Sequence, residues 1–306
     1  MLTDASRRRP ARSAEYISDP MLLIPAHAKV NLCLAVRGRR SDGFHDIDSV
    51  VTLIDWHDLV GIRLRPAEHT AVGLQVAGDD RDLPAHEENL AVKAGRAVAA
   101  VAGPLDIALW LDKRIPSSAG LGGGSADAAA VLRGCASLLG GAELGERELH
   151  RVAASLGSDV PVLLGRATQR VRGRGEQLAD LEAPPLHLVV AVVGASSTTA
   201  VYGALQPFDC EGPARTDAVA DALRVGRRPD DDLLGSGLEA PACRANPDLD
   251  ERLLALRAAV VQVRWHLTGS GGAAFALAGG PTEAAELARL ATAAGFRARA
   301  CRSLSD

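Results

Sequence analysis

A glycine-rich stretch in the middle of the chain places the strongest constraint on its fold. Residues 116–127 read Pro-Ser-Ser-Ala-Gly-Leu-Gly-Gly-Gly-Ser-Ala-Asp and run directly into the apolar sequence Ala-Ala-Ala-Val-Leu. Four glycines in five residues permit positive φ angles and let a ligand approach the main chain. We expect a helix to begin in the alanine run, with Ser125 or Asp127 as its N-cap. Free N–H groups at that helix end would form an anion site, and its natural ligand is a nucleotide phosphate.

This phosphate loop differs from the two most common ones. It lacks the Gly-Lys-Ser/Thr ending of a Walker A loop. A separate Gly-x-Gly-x-x-Gly with a downstream acid, which would mark a dinucleotide site, is also missing from the sequence. The alternative is a glycine-rich turn without a ligand, but such a turn would lose conformational entropy on folding and gain no packing.

Composition and charge limit the classes of function. The chain has 306 residues, of which 47% are hydrophobic and only 3% aromatic. This indicates one large or two medium domains with a core of Ala, Val and Leu. A net charge of −4 gives no general reason to expect a nucleic-acid partner, and the apolar runs are too short for a membrane span. We therefore expect neither nucleic acid nor membrane as a partner.

The cysteines and histidines argue against a metal centre. Five cysteines lie far apart and form no Cys-x-x-Cys pair, at positions 33, 135, 210, 243 and 301. Buried thiols in a reducing cytoplasm are the interpretation that this pattern favours. The run from His45 to Asp48 has metal-binding residue types, but no second cluster accompanies it. We therefore expect no protein-bound metal site and a cytoplasmic protein.

The chain divides into three segments. Residues 1–20 are rich in arginine and lack an apolar core, so we expect a disordered N-terminal extension rather than a secretory signal. The sequence Ala-Pro-Pro at 183–185 is the best linker, followed by a fresh apolar strand. These features predict an N-terminal domain over 21–183 and a C-terminal domain over 184–306.

The N-terminal segment shows clear periodicities. Alternation over 29–36 predicts a half-buried strand with Lys29 and Asn31 on one face, although an exposed lysine on an edge strand is the alternative. Lys113 and Arg114 precede the glycine loop as candidates for phosphate or adenine contacts, or as solvated charges. Further strands are predicted over 50–54, 59–64 and 107–111, and helices over 89–101 and 146–156.

The C-terminal segment also alternates between strands and helices. We expect the basic run 170–176 to form a glycine-broken turn before this segment, with a structural rather than a catalytic role. Strands are predicted over 187–193, 263–267, 275–277 and 296–300, and helices over 218–223, 247–261 and 283–294.

The glycine loop resembles the Pro-x3-Gly-Leu-Gly signature of the GHMP superfamily of galactokinases, homoserine kinases, mevalonate kinases and phosphomevalonate kinases. Its Gly-Leu-Gly-Gly-Gly-Ser form is most similar to the 4-diphosphocytidyl-2-C-methyl-D-erythritol kinases of non-mevalonate isoprenoid biosynthesis. The likeness covers about residues 25–300, and six other stretches resemble that family: 28–32, 38–45, 88–90, 158–161, 170–176 and 268–272.

The resemblance implies an α+β, two-domain GHMP-kinase fold. An N-terminal mixed α/β domain would carry the ATP site, and a C-terminal ferredoxin-like α/β sandwich would close the cleft between them. The implied activity is ATP-dependent phosphorylation of the 2-hydroxyl of 4-diphosphocytidyl-2-C-methyl-D-erythritol. The implied cofactor is ATP with Mg²⁺, which the nucleotide phosphates would mainly hold.

The resemblance also assigns roles to individual residues. Asp159 would be the catalytic acid–base group and Lys29 its charged partner. Without the resemblance, Ser-Asp before Val-Pro at 158–161 is the pattern of an ordinary helix cap, which is the alternative for Asp159. ATP binding is assigned to Asn89, Lys113, Pro116, Ser117, Ser118, Ala119, Gly120, Leu121, Gly122, Gly123, Gly124, Ser125 and Ala126. Substrate binding is assigned to Asn31, Phe44, His45, Thr199, Tyr202, Gly269, Ser270 and Gly271.

Two departures from the family pattern stand out. Phe44 replaces the usual tyrosine in the turn that contacts the cytidine, which keeps a stacking surface and loses a hydroxyl. The family's Asn-Asp-Leu motif appears only as Ser-Gly-Leu at 236–238, so we assign it no role.

Two rival functions remain at this stage. A sister kinase acting on homoserine, mevalonate or galactose would keep the loop without the Gly43–His45 turn. A non-catalytic nucleotide-binding protein would need neither Lys29 nor Asp159. We expect small-molecule partners, namely ATP and a cytidine diphosphate sugar alcohol, and a monomer or a homodimer.

Overall fold

The computed structural model of the protein describes residues 21–78, 85–140 and 144–305. The predicted disordered extension lies outside them. The described strands are β1 (Leu22–Arg39), β2 (His45–Pro66), β3 (Ala71–Gly78), β4 (Leu105–Lys113), β5 (Thr168–Gly173), β6 (Gln177–Asp180), β7 (His187–Val192), β8 (Gly235–Ser236), β9 (His266–Leu267), β10 (Ala273–Ala278) and β11 (Arg297–Arg302). The described α-helices are α1 (Leu90–Ala102), α2 (Gly123–Leu138), α3 (Glu146–Leu156), α4 (Val160–Leu164), α5 (Thr198–Gly203), α6 (Ala214–Arg224), α7 (Glu239–Ala245), α8 (Pro247–Ala259) and α9 (Pro281–Ala293).

The first sheet contains seven of the described strands. Its main path runs β3-β4-β2-β1-β8, and β5 pairs with β2 and β6. β1 and β2 form a long antiparallel pair of 18 and 22 residues. Helices α1 to α4 contribute alanine, valine and leucine side chains to a core against this sheet. The sheet therefore supports the helix that follows the glycine loop.

The second sheet is antiparallel, with the order β11-β7-β10-β9. One face packs against β1 and β2, where Val30 and Ile54 meet Val190 and Phe275 in a shared core. The other face packs against α7, α8 and α9 around the fully buried Trp265. This mixed architecture with two sheets agrees with the α+β fold that the family resemblance implies, while the boundary at residue 184 stays a prediction.

Two predictions for the first sheet are wrong. β1 is not half-buried, because Cys33 and Ala35 are as fully buried as Val30 and Leu32. The second sheet and the surrounding helices cover both faces of β1, so its alternating pattern does not correspond to one buried and one exposed face. β2 is one strand rather than two, and the polar residues at 55–58 continue it. Asp58 is fully buried there because the backbone N–H groups of Arg114 and Ile115 donate to its carboxylate.

The basic run at 170–176 is also mostly strand rather than turn. β5 extends to Gly173, and its Arg170 is buried in a bidentate pair with Asp48, with N–O distances of 2.9 and 2.7 Å. Such a pair fixes β5 against β2, which matches the structural rather than catalytic role expected for this run. Only residues 174–176 form the turn into β6.

The cysteines and the helix lengths bear on two expectations from composition. All five cysteines lie among them as free thiols, but Cys210 is exposed and Cys243 half-buried, so burial was overestimated for two of them. No helix in the described part of the chain is long and apolar enough to cross a membrane.

Candidate active site

The glycine loop leads directly into α2. Gly122 is the N-cap residue and takes a left-handed conformation with φ of 73°, and the helix begins at Gly123. The predicted caps Ser125 and Asp127 are therefore wrong, because both residues lie inside the helix, as its third and fifth residues. A glycine N-cap leaves the first N–H groups of the helix open to a ligand. Ser118, also in this loop, has a φ of 58°, which is uncommon outside glycine and marks local strain typical of functional sites.

A second glycine loop, residues 268–272, packs against the first. A Cβ placed on Gly120 would overlap the carbonyl oxygen of Gly271, and one on Gly272 would lie 2.7 Å from the Cα of Ala119. The two backbones therefore touch, which only glycine permits at these positions. Gly271 is thus a packing residue of the loop pair rather than part of the substrate cavity where it was predicted.

The first loop lines a cavity of about 340 Å³ with most of the residues predicted to bind ATP. The exception is Ala126, which points into the core of the first sheet. Asn89 lines the cavity and is buried, and its side-chain oxygen accepts from the N–H of Ala91 to cap α1. The sequence-predicted loop thus surrounds one pocket, with a capped helix start beside it.

Lys113 is held in a buried ion-pair cluster beside the loop. Its ammonium contacts the carboxylates of Asp58 and Asp127, the latter at 2.6 Å. Burial opposes the charged form, but the two carboxylates outweigh it and raise the pKa of Lys113 above its usual range. Burial raises the pKa of Asp127 to about 7 despite the attraction of Lys113. Lys113 therefore anchors the start of α2 to β2 and β4 and is not a free cation.

A second cavity of about 740 Å³ lies on the other side of Lys29. It contains the residues predicted to bind substrate except Gly271: Asn31, Phe44, His45, Thr199, Tyr202, Gly269 and Ser270. The two cavities share five lining residues, namely Lys29, Ser125, Asp159, Thr198 and Ser270. Their junction is the place where a phosphate in one could meet a hydroxyl in the other.

Lys29 and Asp159 face each other at this junction. Nζ of Lys29 donates to Oδ1 of Asn31 at 2.8 Å and lies 3.7 Å from Oδ2 of Asp159. Asn31 in turn donates to Ser49, so the lysine sits on a hydrogen-bonded support. This confirms that Lys29 and Asn31 share a face of β1, and burial excludes the exposed edge-strand alternative.

Asp159 stands at the start of α4, where a helix cap was the alternative interpretation. Its carboxylate makes no capping hydrogen bond to α4 within the described residues. Its side chain is 49% exposed and points towards Lys29. The capping role is therefore not realised, and the carboxylate is free to contact a substrate.

The turn before β2 shapes the far end of the second cavity. Asp42 accepts hydrogen bonds from Nε of Arg40 and from the N–H of Phe44, at 3.1 Å in each case. Phe44 is 51% exposed, and the guanidinium of Arg174 lies 4.1 Å from its ring centroid. An exposed aromatic ring at a cavity wall is suited to stacking against a flat ligand.

The ring of Tyr202 stacks on the ring of His45 in the wall of the second cavity. The two ring centroids are 5.1 Å apart, with an interplanar angle of 28°. Burial, with a smaller contribution from Arg39, lowers the pKa of His45 below its usual value. Burial and the charge of Asp159 raise the pKa of Tyr202 to about 12. Both rings are therefore neutral near pH 7 and provide aromatic and hydrogen-bonding surfaces.

Comparison with known proteins identifies the family. The model of the GHMP kinases N terminal domain matches residues 89–166. A 4-diphosphocytidyl-2-C-methyl-D-erythritol kinase of Granulibacter bethesdensis is 39% identical over 274 residues, which cover 87% of this chain and 88% of the relative. The chain belongs to the 4-diphosphocytidyl-2-C-methyl-D-erythritol kinase family.

A solved structure of a 4-(cytidine 5'-diphospho)-2C-methyl-D-erythritol kinase agrees with this assignment. It superimposes with a TM-score of 0.75 at 36% identity, covering 93% of this chain and all of the other. A mevalonate kinase structure has a TM-score of 0.66 at 12% identity, over 93% of this chain and all of its own. That second likeness shows the fold alone, and together the two confirm the predicted GHMP-kinase fold.

The structure of the present chain also shows site residues that the sequence analysis did not assign. Arg39 and Arg174 line the second cavity, and Thr198 lines both cavities. Arg174 lies between two glycines with positive φ, a turn signal in the sequence. Ser236, to which no role was given, donates from its hydroxyl to the carbonyl of Gly269 at 2.6 Å and thereby supports the second loop. Arg39 lies in the family-like stretch 38–45 and Arg174 in the glycine-broken turn, so both had a signal in the sequence, whereas the contact between Ser236 and Gly269 joins distant parts of the chain and had none.

Proposed function

We propose that this protein transfers the γ-phosphoryl group of ATP to the 2-hydroxyl of 4-diphosphocytidyl-2-C-methyl-D-erythritol. The observation that carries this proposal is the junction of the two cavities at Lys29 and Asp159. A phosphate loop on one side and an aromatic nucleotide pocket on the other match the two substrates of such a kinase. Membership of the family supports the same activity.

ATP is the phosphoryl donor of GHMP kinases, and we place its phosphates on the first glycine loop. The open N–H groups of Gly123 and Gly124 at the start of α2 would donate to phosphate oxygens, and the helix dipole would add to their effect. Asn89 and Lys113 border the same cavity. Since Lys113 is neutralised by Asp58 and Asp127, we assign it the positioning of α2 rather than a direct phosphate contact.

Asp159 is our candidate for the group that orients and deprotonates the acceptor hydroxyl. An alcohol is a weak nucleophile near neutral pH, and a positioned base accelerates such a transfer by about 10² to 10⁴-fold. Lys29 would offset the negative charge on the transferred phosphoryl group, because its ammonium is fixed by Asn31 at the same junction. Phosphoryl transfer depends mostly on positioning and charge stabilisation, which this arrangement supplies.

Mg²⁺ accompanies ATP in enzymes of this kind, and the residues at the loop fit it. Mg²⁺ binds through few protein oxygens, retains several waters and takes phosphate oxygens as ligands. Ser125 borders both cavities, and Oδ1 of Asp127 is buried without a hydrogen-bond partner among the described residues. These two groups would hold the ion, with the nucleotide phosphates as its main ligands. The ion would neutralise charge on the phosphates.

The second cavity would hold the cytidine diphosphate end of the acceptor. Phe44 and Tyr202 offer ring faces to the base, and His45 offers a neutral imidazole to its polar edge. Thr199, Gly269 and Ser270 border the path between the base and the junction. Since Tyr202 already stacks on His45, we propose that the base enters beside this pair and contacts Phe44.

The rival functions lose support from specific observations. The mevalonate kinase resemblance extends to the fold alone, whereas the family relatives match most of the chain. A purely nucleotide-binding protein would not need a charged Lys29–Asp159 pair at the meeting point of two cavities. The expected cytoplasmic location and the monomeric or homodimeric state stay predictions.

A coupled assay of ADP release tests the proposal. The protein should release ADP with 4-diphosphocytidyl-2-C-methyl-D-erythritol as acceptor and remain near background with mevalonate or homoserine. Phosphorus NMR of the product should show a new phosphomonoester with the diphosphate intact. Equal turnover of a cytidine-free acceptor would refute the assignment.

A further inference from the structure

Within the described part of the chain, the second cavity contains one cation without a protein partner. Among the residues that the structure describes, its basic lining residues are Lys29, Arg39 and Arg174, and Asp159 is its only acidic one. Lys29 donates a hydrogen bond to Asn31 and pairs with Asp159. The guanidinium of Arg174 lies over the ring of Phe44 and 3.9 Å from the carboxylate of Asp42. The described residues offer no hydrogen bond or ion pair to the side chain of Arg39.

The position of Arg39 is fixed by the β1–β2 pair. Arg39 ends β1 directly opposite His45, the first residue of β2, in the strand register. Its neighbour Arg40 is instead engaged by Asp42 at 3.1 Å and stays outside the cavity lining. Arg39 is exposed, and its charge reaches His45 closely enough to lower the pKa of that imidazole. A free guanidinium therefore stands beside the proposed base-binding end.

We infer that Arg39 binds the diphosphate of the acceptor substrate. This inference rests on the proposed function and deepens it, since it names the group that reads the anionic part of the substrate. The two negative charges of the proposed acceptor reside on its diphosphate, and guanidinium groups pair with phosphate oxygens through two parallel N–H donors. A cation left unpaired at the cavity wall provides this contact without breaking an existing ion pair.

Arg39 is thus a specificity residue that acts on binding and not on the chemical step. Its loss should weaken ligands that carry a diphosphate and spare those that carry only the nucleoside. Charge-assisted hydrogen bonds of this kind correspond to a change of about tenfold or more in affinity. The ATP cavity is lined by other residues, so binding of ATP should not change.

The chain offers a matched control in Arg37. It lies on the same strand, is exposed, and belongs to neither cavity lining. The variants Arg39→Gln and Arg37→Gln therefore make the same change in net charge at neighbouring positions. Arg39→Lys adds a test of geometry, because lysine keeps the charge and lacks the planar fork.

The test has two measurements. Calorimetry without ATP gives the affinities for CDP and for cytidine, and the coupled ADP-release assay gives the acceptor KM. In Arg39→Gln, the CDP affinity should fall about tenfold or more and the cytidine affinity should stay within about twofold. The acceptor KM should rise by a similar factor at unchanged kcat and ATP KM, and Arg39→Lys should recover part of the loss. Arg37→Gln should match the wild type.

Two results would overturn the inference. One is a wild-type CDP affinity in Arg39→Gln, and the other is an equal loss for CDP and cytidine, which would indicate a structural effect on the base pocket. Either result leaves the proposed function intact if the wild type still phosphorylates its acceptor. A wild type that binds neither CDP nor cytidine would refute both proposals together.

Discussion

Gly120 and Gly271 lie backbone against backbone where the two glycine loops meet. A Cβ on Gly120 would overlap the carbonyl oxygen of Gly271, and the φ of 73° at Gly120 is itself unfavourable for other residues. One loop borders the phosphate cavity, while Gly269 and Ser270 of the other border the acceptor cavity. This contact between the two loops therefore fixes the position of the phosphate cavity relative to the acceptor cavity.

Replacing Gly120 with alanine should separate the loops. The left-handed backbone alone costs about 1–2 kcal/mol for a residue with a Cβ, and the overlap with Gly271 adds to this. We expect kcat/KM to fall at least about tenfold, with higher KM values for ATP and acceptor. Gly73→Ala is the control, since a Cβ there meets no atom within 4 Å. Wild-type kinetics in a folded Gly120→Ala protein would refute the loop arrangement.

Replacing Asp159 with asparagine should affect chemistry and spare stability. The side chain makes no capping hydrogen bond to α4 within the described residues, so thermal unfolding should change little. Loss of the base should reduce kcat by about 10² to 10⁴-fold with a small change in KM. The exposed Asp106, paired with Arg65 at 2.7 Å, gives Asp106→Asn as a control. A variant that loses about 1 kcal/mol of stability and keeps its kcat would return Asp159 to a capping role.

Replacing Phe44 with alanine should weaken the acceptor alone. Stacking of a base on an aromatic ring is worth about 1–3 kcal/mol, so the acceptor KM should rise about tenfold or more. The ATP KM should not change, because Phe44 lines only the second cavity. Phe208→Ala is a close control, since Phe208 is also exposed beside an arginine and lies outside both cavities. An unchanged acceptor KM in Phe44→Ala would place the base elsewhere.

The acceptor KM should depend on pH through His45. Burial lowers the pKa of this imidazole below 6.5, so the neutral ring predominates at pH 7 and above. If the neutral ring pairs with the base, the acceptor KM should stay constant above the pKa and rise as the pH falls through it. His45→Gln should show a weaker preference for cytidine over uridine and no such rise. The same acid-side rise in both proteins would exclude His45 as its origin.

Much of this site could be predicted from local sequence. The glycine loop and the shared face of Lys29 and Asn31 follow from short patterns, whereas the turn that carries Phe44 was implied by the family resemblance. These features depend on backbone freedom and strand alternation, which neighbouring residues determine.

The features that the sequence did not reveal depend on contacts between distant residues. Asp58 continues a strand because backbone donors at 114 and 115 satisfy its carboxylate. Lys113 is paired rather than solvated because two buried carboxylates surround it. Tyr202 was predicted to bind substrate, but its stack on His45 requires the approach of two separate segments. Tertiary burial outweighs local pattern in each case.

The central claim is that the Lys29–Asp159 junction joins an ATP cavity to a cytidine diphosphate cavity. Single-turnover transfer from γ-³²P-labelled ATP to 4-diphosphocytidyl-2-C-methyl-D-erythritol tests it most directly, with Asp159→Asn beside the wild type. We predict label in the acceptor for the wild type and at least about 100-fold slower transfer in the variant. Transfer at the wild-type rate in Asp159→Asn, or no label in the acceptor with the wild type, would contradict the account.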